Sequence, residues 1–263
     1  MISETTVRLS VFLGVFAIMA MWEAARPRRA RALSRPRRWT TNLGIVVIDT
    51  IVARLLFPVA AVGAALDAEA RGWGLFNLID LPPLIEIIAA FVLFDLAIWT
   101  QHVVFHHVPL LWRFHMVHHA DEEMDVSTGL RFHPVEIAMS MAIKIALVYL
   151  LGPAALAVII FEVVLNAAAM WSHSNLRLPA PVDNIVRKII VTPDMHTSHH
   201  STDRREHDTN FGFFFSFWDR MFGVYTDTPA AGHDGVEIGL PPWRKGQSSR
   251  LVWALLAPFR RSS

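Results

Sequence analysis

Histidines crowd the stretch from Gln101 to His119, QHVVFHHVPLLWRFHMVHH, as His102, His106, His107, His115, His118 and His119. The segment MHTSHH repeats part of that pattern, so that His196, His199 and His200 have the spacing of His115, His118 and His119. On a helix, residues three and four apart share a face, so H-x-x-H-H turns three imidazoles the same way and H-x-x-x-H turns two. Neutral imidazole is the commonest metal ligand because it binds without carrying charge into the site. With His173, the two H-x-x-H-H groups and the His102/His106 pair supply about twice the ligands that one tetrahedral zinc uses, which implies two metal ions. The chain has no Cys, which excludes thiolate sites, disulfides and Cys nucleophiles and leaves nitrogen and oxygen ligands. Such a set suits iron, with dioxygen activation as its chemistry, or zinc, with hydrolysis by metal-activated water. A metal transporter is a further reading, but transporters place their ligands near the bilayer midplane, whereas these clusters follow the end of an apolar run or lie in the polar C-terminal part.

The elements that position these residues belong in a membrane. Of the 263 residues 53% are hydrophobic, and the mean hydropathy is +0.38, too high for an ordinary soluble domain. The net charge of +1 and basic residues gathered beside apolar runs give no nucleic-acid surface. Val7 to Trp22 forms an apolar run followed by ARPRRARALSRPRR, a retained anchor whose arginines act as a topology signal and put the N-terminus outside. The second span is expected over Asn42 to Leu66 and the third over Pro82 to Thr100, running straight into the first His cluster. Val135 to Trp171 is apolar except at Gly152-Pro153 and reads as a hairpin. With these crossings the His clusters share the cytoplasmic face. The expected fold is all-α, an integral-membrane helical bundle with a cytoplasmic His-rich helical cap, in one domain over residues 1–263.

Several polar residues fall inside the spans. Asp49 and Arg54 read as a structural pair or a buried polar patch. Asp95 lies two helical turns before His102 and is expected to orient that imidazole from behind. Glu162, Asn166 and His173 recur on one face of the second hairpin leg. The segment NFGFFFSFWDRMFGVY reads as packing against the His-bearing helices, and LVWALLAPFRR reads as an amphipathic close lying in the membrane surface.

His102-x-x-x-His106, LLWRFHMVHH, RFHPVE, WSHSNLRLP, TPDMHTSHHS and NFGFFFSFWDRMFGVY, in this order, closely resemble the fatty acid hydroxylase superfamily of sterol desaturase type, over roughly residues 94–225. The resemblance implies a non-haem di-iron membrane oxidoreductase that uses O2 and electrons from a separate donor protein to hydroxylate or desaturate a membrane lipid. Carried over by position, His102 and His106 match the first box, His115, His118 and His119 the second, His173 the histidine before the last box, and His196, His199 and His200 the last. These nine are the expected ligands of two irons, with zinc possible in purified protein. Fatty acid hydroxylases proper have a further H-x-x-x-H in that region, where this chain has Ala169, Met170 and Ser172. The departure leaves a tenth ligand open among His133, Glu162, Asn175 and water, and it weighs against a fatty acid 2-hydroxylase. The Arg- and Ala-rich composition suggests a bacterial inner membrane.

Overall fold

A segment that crosses hydrocarbon must satisfy its own backbone N–H and C=O groups, and the apolar runs of this chain do so as helices. The structure is a computed structural model describing residues 4–244 and 246–260. Its long helices are α1 (Glu4–Ala25), α2 (Arg35–Leu56), α3 (Ala60–Arg71), α4 (Pro83–His107), α5 (Pro109–His119), α6 (Pro134–Leu151) and α7 (Ala155–Ser172). Short helices follow, including α8 (Ala180–Val186) and α9 (Pro193–His199). Among the described residues the only extended pairings are isolated bridges, Ile190 with Phe215 and Ser201 with Ile238. Five helical segments, namely α1, α2 continued by α3, α4, α6 and α7, are long and apolar enough to cross a membrane. The protein is therefore an all-α integral-membrane bundle, with the histidines gathered at one end.

Proline and glycine set the breaks. The span expected over residues 42–66 is interrupted because Pro58 cannot donate a helical hydrogen bond and Phe57 before it leaves the α region (φ −130°, ψ 69°). The chain resumes as α3, whose Ala61, Ala64, Ala65 and Ala68 are buried and allow close packing against α6 and α7. Val108 is extended (φ −93°, ψ 112°) ahead of Pro109, so the first His cluster is divided between α4 and α5. In the hairpin, Gly152 closes α6 in the left-handed region at φ 61°. A Cβ on Gly74 would meet the Gly152 backbone at 2.2 Å, so these two glycines let the α3–α4 connection seat on the hairpin turn.

The basic segment after α1 does more than the topology signal expected of it. Glu23, at the end of α1, accepts from the backbone N–H of Val126 (2.7 Å) and of Asn175 (2.8 Å) and pairs with Arg31 (3.1 Å). Arg38, 1% exposed, donates to both oxygens of Asp121 (2.8 Å each) and to Asp125 (2.6 Å). Burial pushes the Asp121 carboxyl up, but the charge and hydrogen bonds of Arg38, helped by Arg131, outweigh it and hold Asp121 at about 2. Arg131 in turn donates to the carbonyls of Val117 (2.8 Å) and Ser248 (2.7 Å) and to Asn42 (2.7 Å); burial lowers it to about 10, against the attraction of Asp121. These buried arginines tie α1, α2, the end of α5 and the loop before α6 into one cap. At the C-terminus, the helix Leu251–Leu256 packs Trp253 and Ala254 against Ile45, Met116 and Val117 and leaves Val252 and Leu256 exposed, as is Phe259 in the turn after it; Arg261, which closes the expected amphipathic segment, lies outside the described residues.

Arg38→Ala strands two buried carboxylates, a loss of about 3–5 kcal/mol. Thermal unfolding of the detergent-solubilised protein is expected to show a clear drop in Tm for Arg38→Ala and almost none for Arg37→Ala, whose side chain is exposed.

Candidate metal centre

Nine histidines from α4, α5, the end of α7 and α9 meet at the cap, each 3% exposed or less. They form two groups. His102, His106, His115, His119 and His199 make the first, and His118, His173, His196 and His200 the second; in each, one ring nitrogen per residue lies within 4.8 Å of all the others. The boxes do not turn all three imidazoles to one place, as their spacing suggested. His115 and His119, four apart, enter the first group and His118 the second, whereas His196 and His200 enter the second and His199 the first. A step of four rotates a helical position by about +40° and a step of three by about −60°, so each box divides between the neighbouring groups.

Behind five of the nine rings a hydrogen bond decides which nitrogen faces inward, whereas Nδ1 of His118, His119, His196 and His200 is buried with no partner among the described residues. Nδ1–H of His102 donates to the Phe211 carbonyl (2.8 Å), that of His199 to Thr209 (2.7 Å) and that of His173 to Ala169 (2.7 Å). Nδ1 of His115 meets Glu136 Oε1 at 2.7 Å and Nδ1 of His106 meets Asp208 Oδ1 at 3.3 Å. With the proton fixed on Nδ1, the Nε2 lone pairs point at one another. His102 Nε2 lies 3.1 Å from that of His115 and 3.1 Å from that of His199; His173 Nε2 lies 3.0 Å from His118, 2.9 Å from His196 and 3.2 Å from His200. Converging lone pairs without protons repel unless a cation sits between them. Ligands at right angles around an ion with bonds of about 2.1 Å are about 3.0 Å apart, so both groups fit a metal ion. Five imidazoles in one group exceed the four of a tetrahedral zinc site.

The carbonyls of Thr209 and Phe211 are aimed by the residue between them. Asn210 has a left-handed φ of 54°, tolerated by Asn, and its side chain donates to the carbonyls of Met195 (3.1 Å) and Thr226 (2.8 Å). Two reciprocal pairs hold this aromatic segment against α4. Asp95 accepts from Trp218 Nε1 (2.9 Å), and Asp219 accepts from Trp99 Nε1 (2.8 Å) and from the N–H of Phe211 (2.8 Å). Asp95 therefore does not orient His102 directly. Seven residues on a helix put it on the same face but about 10 Å away, and it acts through the segment that supplies the Phe211 carbonyl.

Of the candidates for a further ligand, the three residues lie in neither group. His133 caps α6 and contacts the Leu255 carbonyl (3.2 Å), Asn175 bonds the Arg29 backbone, and Glu162 holds Arg8 (2.7 Å) and Lys144 (2.6 Å). His107 is exposed. The sequence reading missed His207, which with Asp208 flanks His106 and brings its ring centroid within 4.4 Å of that of His119. It has no histidine three or four positions away, so periodicity could not single it out. A cavity of about 760 Å³ lies between α1, α2, α4, α6 and α7 and reaches the centre at Glu136, Phe132 and Phe213. Phe132 stacks on His118 with centroids 4.5 Å apart, and Phe213 meets His102 edge-on at 5.2 Å.

Residues 87–224 match the family model described as fatty acid hydroxylase. Among curated proteins, an ornithine lipid hydroxylase of Rhizobium tropici is 25% identical over 95% of this chain and 75% of its own length. Human alkylglycerol monooxygenase is 27% identical over 52% of this chain and 30% of its own length, and human cholesterol 25-hydroxylase is 28% identical over 53% and 50%. The chain thus spans half or less of the last two. No solved structure matches it.

Burial, above all, lowers the imidazoles outside the spans. His115 falls to about 3 and His173 to about 4, while His118, His119, His196, His199 and His200 drop well below 6.5, with repulsion among neighbouring rings adding to burial. The folded state then binds fewer protons than the unfolded chain, so this stability is complete above about 6.5 and is lost as pH falls toward the depressed values. Metal-stripped protein is expected to show a Tm that declines steadily from about pH 6.5 to pH 4.5; a flat Tm over that window would contradict the buried, neutral cluster.

Proposed function

The chain belongs to the fatty acid hydroxylase family, and on that premise we propose that it is a membrane lipid hydroxylase whose nine clustered histidines hold two irons. The observation that carries this reading is the convergence of Nε2 lone pairs from five and from four buried imidazoles. Its relatives are lipid hydroxylases and monooxygenases, which are oxidoreductases, and they lend no support to a zinc hydrolase or a transporter. They also favour hydroxylation over desaturation.

Two irons, when bound, would supply activation of dioxygen and attack on an unactivated C–H bond. The reaction consumes R–H, O2, two electrons and two protons and yields R–OH and water. Both electrons come from a separate donor protein. What the chain itself contributes is position. Glu136, through His115 Nδ1–H, and the carbonyls of Phe211, Thr209 and Ala169 keep Nε2 free and aimed inward, and a carboxylate behind an imidazole raises its basicity. Phe132, Phe211 and Phe213 keep water from the ring faces. The cavity beside them receives the lipid, entering from the bilayer between helices that expose apolar side chains.

The protein is a membrane protein by its five apolar helical segments. The Arg-rich segment is at the same end as the histidines, since Arg38 bonds Asp121 directly after α5 and the box that ends at His119. By the positive-inside rule that end faces the cytoplasm, which we place at a bacterial inner membrane.

Expression in a bacterial host with lipid analysis by mass spectrometry tests the reading. A lipid gaining one oxygen atom is expected with the intact protein and is expected to vanish with His199→Ala, while both proteins insert into the membrane equally. Undiminished product with His199→Ala would count against it.

A further inference from the structure

A second, smaller cavity of about 280 Å³ opens on the cap beside the first histidine group. Trp112 of α5 lines it and touches that group, its ring centroid lying 5.1 Å from that of His106 and 5.4 Å from that of His119. His207 lines it too and stands 4.8 Å from the same indole. Both ligand rings are buried and Trp112 is half-buried, so the indole carries ring contact from two metal-binding imidazoles out to an open pocket. The pocket is also cationic. Arg113, Arg204 and Arg260 line it, all three exposed, and among the described residues no carboxylate does. Arg204 is tied to Asp208 at 2.9 Å and lies over the Trp112 ring, 5.8 Å from its centroid. Arg113 donates to the Arg260 carbonyl (3.2 Å), which fixes its position and leaves its charge unanswered. Neither Arg113 nor Arg260 forms an ion pair among the described residues.

A cleft lined by one sign of charge focuses its field and speeds the approach of a partner of the other sign. A lipid phosphate would use the arginines alone. The indole adds something that only a redox partner uses, because electron exchange weakens steeply with the thickness of protein between two centres, and here a single side chain separates the pocket from two ligand rings. Encounters between electron-transfer proteins are small and transient, and charge complementarity sets their rate and register more than their strength. Three arginines around Trp112 and Trp243 make a patch of that kind.

We propose that this pocket is the docking site of an acidic one-electron carrier protein, with Trp112 as the route from the carrier to the first histidine group. Each encounter passes one electron to the ions that the histidines hold and releases the carrier oxidised, and two encounters supply the two electrons that one R–OH and one water require. The proposal rests on the oxidative reading of the centre, but docking is measured without turnover. Equilibrium binding of three oxidised acidic carriers, a two-iron ferredoxin, a rubredoxin and a flavodoxin, to the detergent-purified full chain is compared with that of a basic cytochrome c. At least one acidic carrier is expected to bind, about tenfold or more weaker at physiological than at low salt, and cytochrome c is not. Arg113→Glu combined with Arg260→Glu should weaken that binding by about tenfold or more, and Arg37→Glu, an exposed arginine elsewhere, should leave it unchanged. Trp112→Leu should keep the carrier's affinity and slow, in stopped flow, the reduction of the iron-loaded chain by the reduced carrier, while reduction by dithionite and metal content per chain stay as in the wild type. Binding by none of the three, or binding undiminished in the charge-reversed variant, overturns the docking site; this includes the case in which that variant loses only its affinity for phosphatidylglycerol vesicles. An unchanged rate in Trp112→Leu overturns the route. The salt dependence and the acidic-against-basic comparison need no variant. Carrier binding at this pocket by a protein that forms no hydroxylated lipid would instead strike at the enzymatic reading alone.

Discussion

Imidazole lone pairs aimed at one another across about three ångströms, in an interior that excludes water, are the constraint on which this molecule depends. The arrangement is repulsive by itself and becomes favourable with a cation at each focus. Five of the nine rings are held by a tie to the other nitrogen, and the ties to His102, His199, His173, His115 and His106 come from three different stretches of chain. The reciprocal Asp95–Trp218 and Trp99–Asp219 bonds look remote from any chemistry, yet they fix the segment whose carbonyls set two of those rings. Burial pushes Asp219 up to about 6, against the hydrogen bonds it accepts, so this support is itself a buried polar network.

Because α5 and α9 each send side chains to both groups, neither group can form without the other's helices in place. The membrane-crossing helices give the rigid frame for this, and the arginine cap fastens it. Arg38 bridges residues more than eighty positions away in sequence, and Arg131 reaches α5, α2 and the C-terminal segment at once. Long-range ties of this kind are what a helical bundle needs if a site is to be built from helix ends instead of from its middle.

The sequence made the helices and the nine histidines legible, because both follow local periodicity: apolar runs of spanning length, and imidazoles three and four apart. It did not reveal how each box is shared between two groups, since that depends on where α4, α5 and α9 lie relative to one another. Asp95 was misread for a related reason. Helical phase gives the face but not the reach, and the partner that Asp95 meets, Trp218, is 123 residues away. Arg38 looked like part of a charge signal because its acidic partners, Asp121 and Asp125, sit in a loop of no periodic pattern. The break at Pro58 was visible as a residue but was absorbed into an apolar run, and His207 had no helical neighbour to mark it.

The most direct measurement is the metal content of protein purified in detergent from cells grown without added metal, read by elemental analysis on intact chain. About two irons per chain is the expected result, with iron lost when His102 of the first group or His196 of the second is replaced by Ala. Protein that takes up no iron, even after anaerobic reconstitution with ferrous ion, while remaining folded, would contradict the central claim that the two imidazole groups exist to hold a pair of irons.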